Sequence, residues 1–222
     1  MRMRRPPSNL DFFAKELCRP GALRARAFGG EWWGAIAFVG VFLAATLVWA
    51  LPSLGQAKRS RGEAEIKSAY LLKFLEYVTW PSDSFDDSTS PLVIGIFKDG
   101  MVGESLKRLA PQARAKRRKI LVREFKSIED YRACHVLFVP KSSGAELQTK
   151  AIARTKKLPV LVVGEKNGFA SAGGSVNFYI DVDRTVGFEI NPDAAASHRL
   201  RIHASLLRLA RVVRSKSPPR KG

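Results

Sequence analysis

The chain has 222 residues, 38 Lys/Arg against 20 Asp/Glu, a formal net charge of +18 and 45% hydrophobic residues, enough for one domain with a full core. Such charge suggests an anionic partner, but the basic residues lack the aromatic interleaving of a base-stacking groove, which argues against nucleic acid and leaves anionic headgroups or an acidic protein. Of the two cysteines, Cys18 lies within an export leader and Cys134 beyond it, so the processed chain has no intramolecular disulfide.

That leader comes first. Trp32 to Leu51 reads WWGAIAFVGVFLAATLVWAL, without a charge, and ~20 such residues as a helix match the ~30 Å hydrocarbon core of a bilayer. Pro52 follows, and Gly55 and Ala57 occupy the −3 and −1 positions of a small-x-small cleavage pattern in a stretch expected to be extended. Residues 1–57 are therefore expected to be a signal peptide cleaved after Ala57, or else an anchor that keeps helix 32–51 in the membrane. The leader holds seven Lys/Arg and three Asp/Glu, so the 165 residues beyond it keep 31 and 17, a net charge of +14. In both cases those residues act outside the cytoplasm.

Residues 58–62 are a polar lead-in. From Glu63 the apolar positions Ile66, Tyr70, Phe74 and Val78 recur at helical spacing, with Leu71, Leu72 and Leu75 widening the stripe, until Trp80-Pro81 stops the helix. After the polar loop 82–91, strands are expected at 92–97, 120–125, 135–139 and 159–164. Helices are expected at 102–109 and 144–155, with a short helical turn at 128–132. This alternation predicts a single α/β domain over 63–213, a mostly parallel sheet with helices on both faces.

The last third changes style. Gly173-Gly174 makes a turn, and 175–180 and 185–190 form an antiparallel hairpin across Asp181 to Arg184. Asn191 caps a helix, with Pro192 and Asp193 suited to its first turn. A final amphipathic helix, 204–213, closes the domain, and 214–222 is a basic, disordered tail. Phe178 and Phe188 are expected to pack beneath the two closing helices.

Chemistry is scarce. His135, His198 and His203 lack ligand spacing, no nucleophile elbow occurs, and the loop Gly164 to Gly168 (GEKNG) lacks the glycine spacing of a nucleotide motif. Asp181 and Asp183 suit turn geometry, and with Glu189 they make a poor acid pair. Arg114 to Lys119 (RAKRRK) reads as solvated charge. Cys134, opening an apolar strand, reads as a buried small hydrophobe. No enzyme, cofactor or metal is expected.

Several segments resemble the YfiR-like family of periplasmic regulatory proteins: EIKSAYLLKFLEYVTWP (65–81), PLVIGIFKDG (91–100), CHVLFVPKS (134–142), the run 159–191 with its Gly-Gly-x-x-Asn-Phe and Phe-Glu-Ile-Asn signatures, and SLLRLARVV (205–213). The resemblance implies a regulator without catalysis that binds the periplasmic sensor domain of an inner-membrane diguanylate cyclase and restrains cyclic-di-GMP synthesis, a process tied to biofilm. The single mature cysteine departs from better-known members, so a disulfide-based redox role is not carried over. Trp80 and Pro81 at one corner and Lys166, Asn167 and Phe169 in one loop are the expected partner contacts. A small-ligand-binding protein, or an accessory protein of a sensor histidine kinase, is the alternative. A homodimer and membrane-surface contact through the basic residues stay open.

Overall fold

The computed structural model describes residues 51–97 and 100–215. The apolar run 32–51 therefore lies outside the described residues except for Leu51, as does most of the basic tail. No described helix is long and apolar enough to cross a membrane.

The first described element is a 27-residue helix, α1 (Leu51–Tyr77). It begins earlier than the apolar stripe suggested. Gly55 and Ala57 lie within the helix, so they are helical rather than extended. Its buried residues Ala64, Ser68, Leu71, Phe74 and Leu75 recur every three or four positions and fix the face laid on the sheet. The chain then straightens into β1 (Val78–Thr79).

The strands β2 (Leu92–Phe97), β3 (Arg114–Ala115), β4 (Arg118–Phe125), β5 (Val136–Val139), β6 (Leu161–Gly164), β7 (Val176–Ile180), β8 (Val186–Ile190) and β10 (Arg211–Val212) form one sheet in the order β10-β8-β7-β6-β5-β2-β4-β3. The run β4-β2-β5-β6-β7 is parallel, β7 and β8 are antiparallel, and β10 lies parallel to β8. A second, two-stranded sheet pairs β1 with β9 (Arg201–Ile202). Strands β2, β5 and β6 are buried at every position, which explains their unbroken apolar runs.

Two hydrophobic clusters occupy the two faces. The larger takes residues from α1, from α2 (Gly100–Leu109) and from the hairpin β7–β8. The smaller contains Phe97, Phe125, Leu137, Val162 and Phe169, with Ala151 from α3 (Gly144–Thr155).

At four places the structure differs from the sequence-based expectations or adds to them. Phe178 and Phe188 are direct cross-strand partners in the larger cluster, which also contains Ala195 and Leu206 of the closing helices, and their aromatic neighbours are Tyr70 and Phe74 of the opening helix and, for Phe178, Phe138 of β5. Phe74 lies 5.8 Å from Phe178 and 5.4 Å from Phe188 between ring centroids, and Tyr70 lies 5.1 Å from Phe188. The final helix is one turn, α5 (Ala204–Leu207), because Arg211 and Val212 instead pair with Glu189 and Ile190 on the open edge of β8. Residues 128–131 form a single turn, closed by Tyr131 N–H to Ile128 O, where a short helical turn was expected. RAKRRK is a hairpin: β3 and β4 pair across Lys116-Arg117, both at positive φ as a two-residue primed turn demands. The Asn191 cap is present. Its Oδ1 accepts the Ala194 N–H at 3.0 Å at the start of α4 (Pro192–Ser197), and its Nδ2 donates to Ala170 O at 2.7 Å.

Candidate functional site

Parallel strands give the sheet two unlike edges, and the residues singled out from the sequence are divided between them. Trp80 sits at the amino edge. Its indole N–H donates to His135 O, one residue before β5, at 3.1 Å, and its ring meets the imidazole edge-on. The Lys116 ammonium lies over that ring and donates to Val78 O. At 6% exposure Trp80 is a lid on the larger cluster, while Pro81 is half-buried beside it.

The loop after β6 lies at the carboxyl edge, at the far end of strands that run side by side from Val136 and Leu161 to Val139 and Gly164. The two proposed contact points are therefore not adjacent. Lys166 and Asn167 are exposed, but Phe169 is 3% exposed and belongs to the smaller cluster. A Cβ on Gly164 would approach the Phe169 ring to 2.5 Å, and one on Gly174 to 2.2 Å. Both glycines are therefore needed to seat that ring, which gives the GEKNG loop and the Gly-Gly turn a packing purpose rather than a phosphate-binding one. Nothing in the polarity of residues 165–168 signals this; the glycines on either side of Phe169 are the available clue.

In an open parallel sheet, ligands favour the carboxyl edge where the chain reverses its direction of winding, here between β2 and β5. Near that position Glu165 accepts the Lys141 N–H at 2.9 Å and pairs with Lys67 of α1 at 2.6 Å, and Lys67 also pairs with Glu63. The Lys67 and Glu165 side chains are each 10% exposed. Burial alone would lower the lysine's pKa, but its hydrogen bonds to Glu165 and Glu63 outweigh burial and hold it above the ordinary value. The network ties α1 to the carboxyl edge, and Trp80 ties the segment just beyond α1 to the amino edge. Among the described residues no group of three His, Cys, Asp or Glu could hold a metal ion.

The titratable groups inside the sheet are structural in their geometry. Cys134 is buried, and desolvation pushes its thiol up to about 12, which leaves it a poor nucleophile at neutral pH. His135 accepts the Val93 N–H at Nδ1 (3.0 Å), which places its proton on Nε2, facing Ser84 O at 3.3 Å. The Phe85 ring stacks on it at 4.8 Å, with the Arg118 guanidinium beyond. His198 faces Leu158 O at 2.8 Å through Nδ1. Burial lowers the pKa of both imidazoles below the usual value near 6.5, and Arg118 adds to the effect at His135. The unfolded chain therefore takes up protons at a higher pH than the folded one does. Stability should hold above pH ~6.5 and decline as pH falls below it. Urea midpoints at pH 7.5 and pH 5 check this; equal midpoints would mean that both imidazoles are protonated in the fold at little cost.

A model of the family described as YfiR/HmsC-like matches residues 64–211. The chain belongs to the YfiR/HmsC-like family. The match begins at Ala64, the first buried residue of α1 among those from Arg59 onward, and ends at Arg211 in β10. A comparison with curated proteins found no match. The signature residues of this YfiR/HmsC-like chain meet in space: Asn177 and Glu189 are cross-strand partners on β7 and β8, with Asn177 Nδ2 donating to Glu189 Oε2 at 3.3 Å.

Proposed function

We propose that this YfiR/HmsC-like protein is a periplasmic regulator without catalysis of its own. In this reading it binds the periplasmic sensor domain of an inner-membrane diguanylate cyclase and holds back cyclic-di-GMP synthesis. The family match over residues 64–211 carries the proposal. Such a role requires only that the protein bind the inactive state of its partner more tightly than the active one. The export leader read from residues 1–57 would put the domain on the side of the membrane where a sensor domain waits.

For the contact surface, exposed Lys166 and Asn167 are the better candidates, since Trp80 and Phe169 are committed to the interior. Deleting the gene should raise cellular cyclic-di-GMP, and restoring a secreted copy should lower it again. A secreted copy carrying Lys166→Glu and Asn167→Arg should fold with an unchanged Tm but fail to restore the low level. Unchanged cyclic-di-GMP in the deletion strain across several envelope stresses would end the cyclase reading and direct attention to a sensor kinase.

A further inference from the structure

The sheet is covered unevenly on the side of its smaller cluster, and the uncovered part has a distinct chemistry. Beyond α3, the outward faces of β7 and β8 border a groove of about 290 Å³ whose walls include Asn167, Gly168, Asn177, Tyr179, Glu189 and Arg211. Asn177 is 1% exposed, and its Oδ1 has no hydrogen-bond partner among the described residues. The amide cannot be turned to relieve this, because its Nδ2 is the end that donates to the Glu189 carboxylate. A buried carbonyl oxygen left without a donor is costly, so the site calls for a donor that the described residues do not supply.

The remaining groups define that donor. Glu189 is 17% exposed and adds an anionic acceptor beside Asn177, and Asp181 adds another carboxylate at the rim. These acceptors stand out on a chain whose net charge is +18. Among the described residues, Arg211 is the cation nearest Glu189. The Arg211 guanidinium lies 4.6 Å from the Tyr179 ring centroid and 3.8 Å from Glu189, too far for a tight ion pair, with its side chain 58% exposed. It sits over an aromatic face and near a carboxylate, as a bound cation would, without reaching the orphan oxygen.

We propose that this groove binds a small primary-ammonium ligand. The ammonium would donate to Asn177 Oδ1 and Glu189, rest against the Tyr179 ring, and displace the Arg211 side chain that now occupies its place. Three ammonium hydrogens match the orphan oxygen and the carboxylate, and cation–π attraction supplies the third contact. Because Arg211 belongs to β10, the last strand of the sheet, occupancy would be felt at the edge next to β8. The inference does not depend on the regulator reading, and either can fail alone.

The test titrates the isotopically labelled full chain with n-butylammonium chloride, sodium butyrate and n-butanol, following backbone amide resonances. Saturable shifts at Gly168, Asn177 and Glu189 are expected with n-butylammonium and with neither of the others. Glu189→Gln should weaken binding by about tenfold or more. Arg211→Ala should tighten it, since an internal competitor is removed. Asn177→Leu should abolish binding while keeping or raising the Tm, because an apolar replacement no longer buries an unpaired oxygen; a large loss of Tm would instead assign Asn177 to the fold and overturn its role. Shifts with butyrate in place of the amine would overturn the proposal in favour of an anion at Arg211. Absence of saturable shifts in both the wild type and Arg211→Ala would also overturn it.

Discussion

Phe188→Ala should destabilise the domain by ~3–5 kcal/mol, the range for emptying a buried aromatic site. That is a large part of the ~5–15 kcal/mol that separates a typical folded domain from its unfolded chain. The Phe188 ring is 3% exposed and meets Tyr70 and Phe74 of α1 as well as its cross-strand partner Phe178, which in turn meets Phe138 of β5. Collapse into the space is resisted by the two ties on the helix: the Lys67 network holds α1 at the carboxyl edge and Trp80 anchors the chain just beyond it. Equilibrium urea unfolding measures the loss. A change below 1 kcal/mol would show that helix and hairpin are not packed as one unit.

The Lys67–Glu165 pair gives the second large effect and a sign that depends on how the pair is removed. Lys67→Ala leaves Glu165, 10% exposed, with no ion-pair partner among the described residues, and breaking a buried pair from one side costs ~3–5 kcal/mol. The double replacement Lys67→Met with Glu165→Gln removes both charges, keeps an acceptor for the Lys141 N–H and fills the same space. It should recover most of the loss. If the single and double variants unfold at the same urea concentration, the stability lies in the lysine's packing rather than in its charge.

What could be read in advance divides along physical lines. Buried parallel strands declare themselves as apolar runs, so LVIGIF and HVLFV were visible, and the Asn191 cap follows from one side chain and its immediate neighbours. The end of the last helix was not visible. Leu206, Leu207, Leu209, Ala210 and Val213 keep helical spacing, yet Leu209 is 61% exposed and the chain leaves the helix. An unpaired edge on β8 competes for residues 211–212, and that edge exists only once the sheet is assembled. Phe169 escaped for a related reason, since the cleft between Gly164 and Gly174 belongs to no single segment. The groove was half legible. Sequence alone sets Glu189 beside the turn aspartates as a poor acid pair, whereas its hydrogen-bond partner in the structure is the amide of Asn177.

The aromatic contact between α1 and the β7–β8 hairpin also sets the order in which this chain can fold. Tyr70 and Phe74 stand ~100 residues or more before Phe178 and Phe188, so their contact closes nearly the whole domain as one loop, and such distant contacts slow folding. The first described helix has no complete surface to rest on until the last pair of long strands arrives. Its apolar stripe remains open to other chains throughout that interval. A chain cut short before Val176 would lack that hairpin altogether, so truncation should leave an aggregating polypeptide rather than a smaller domain.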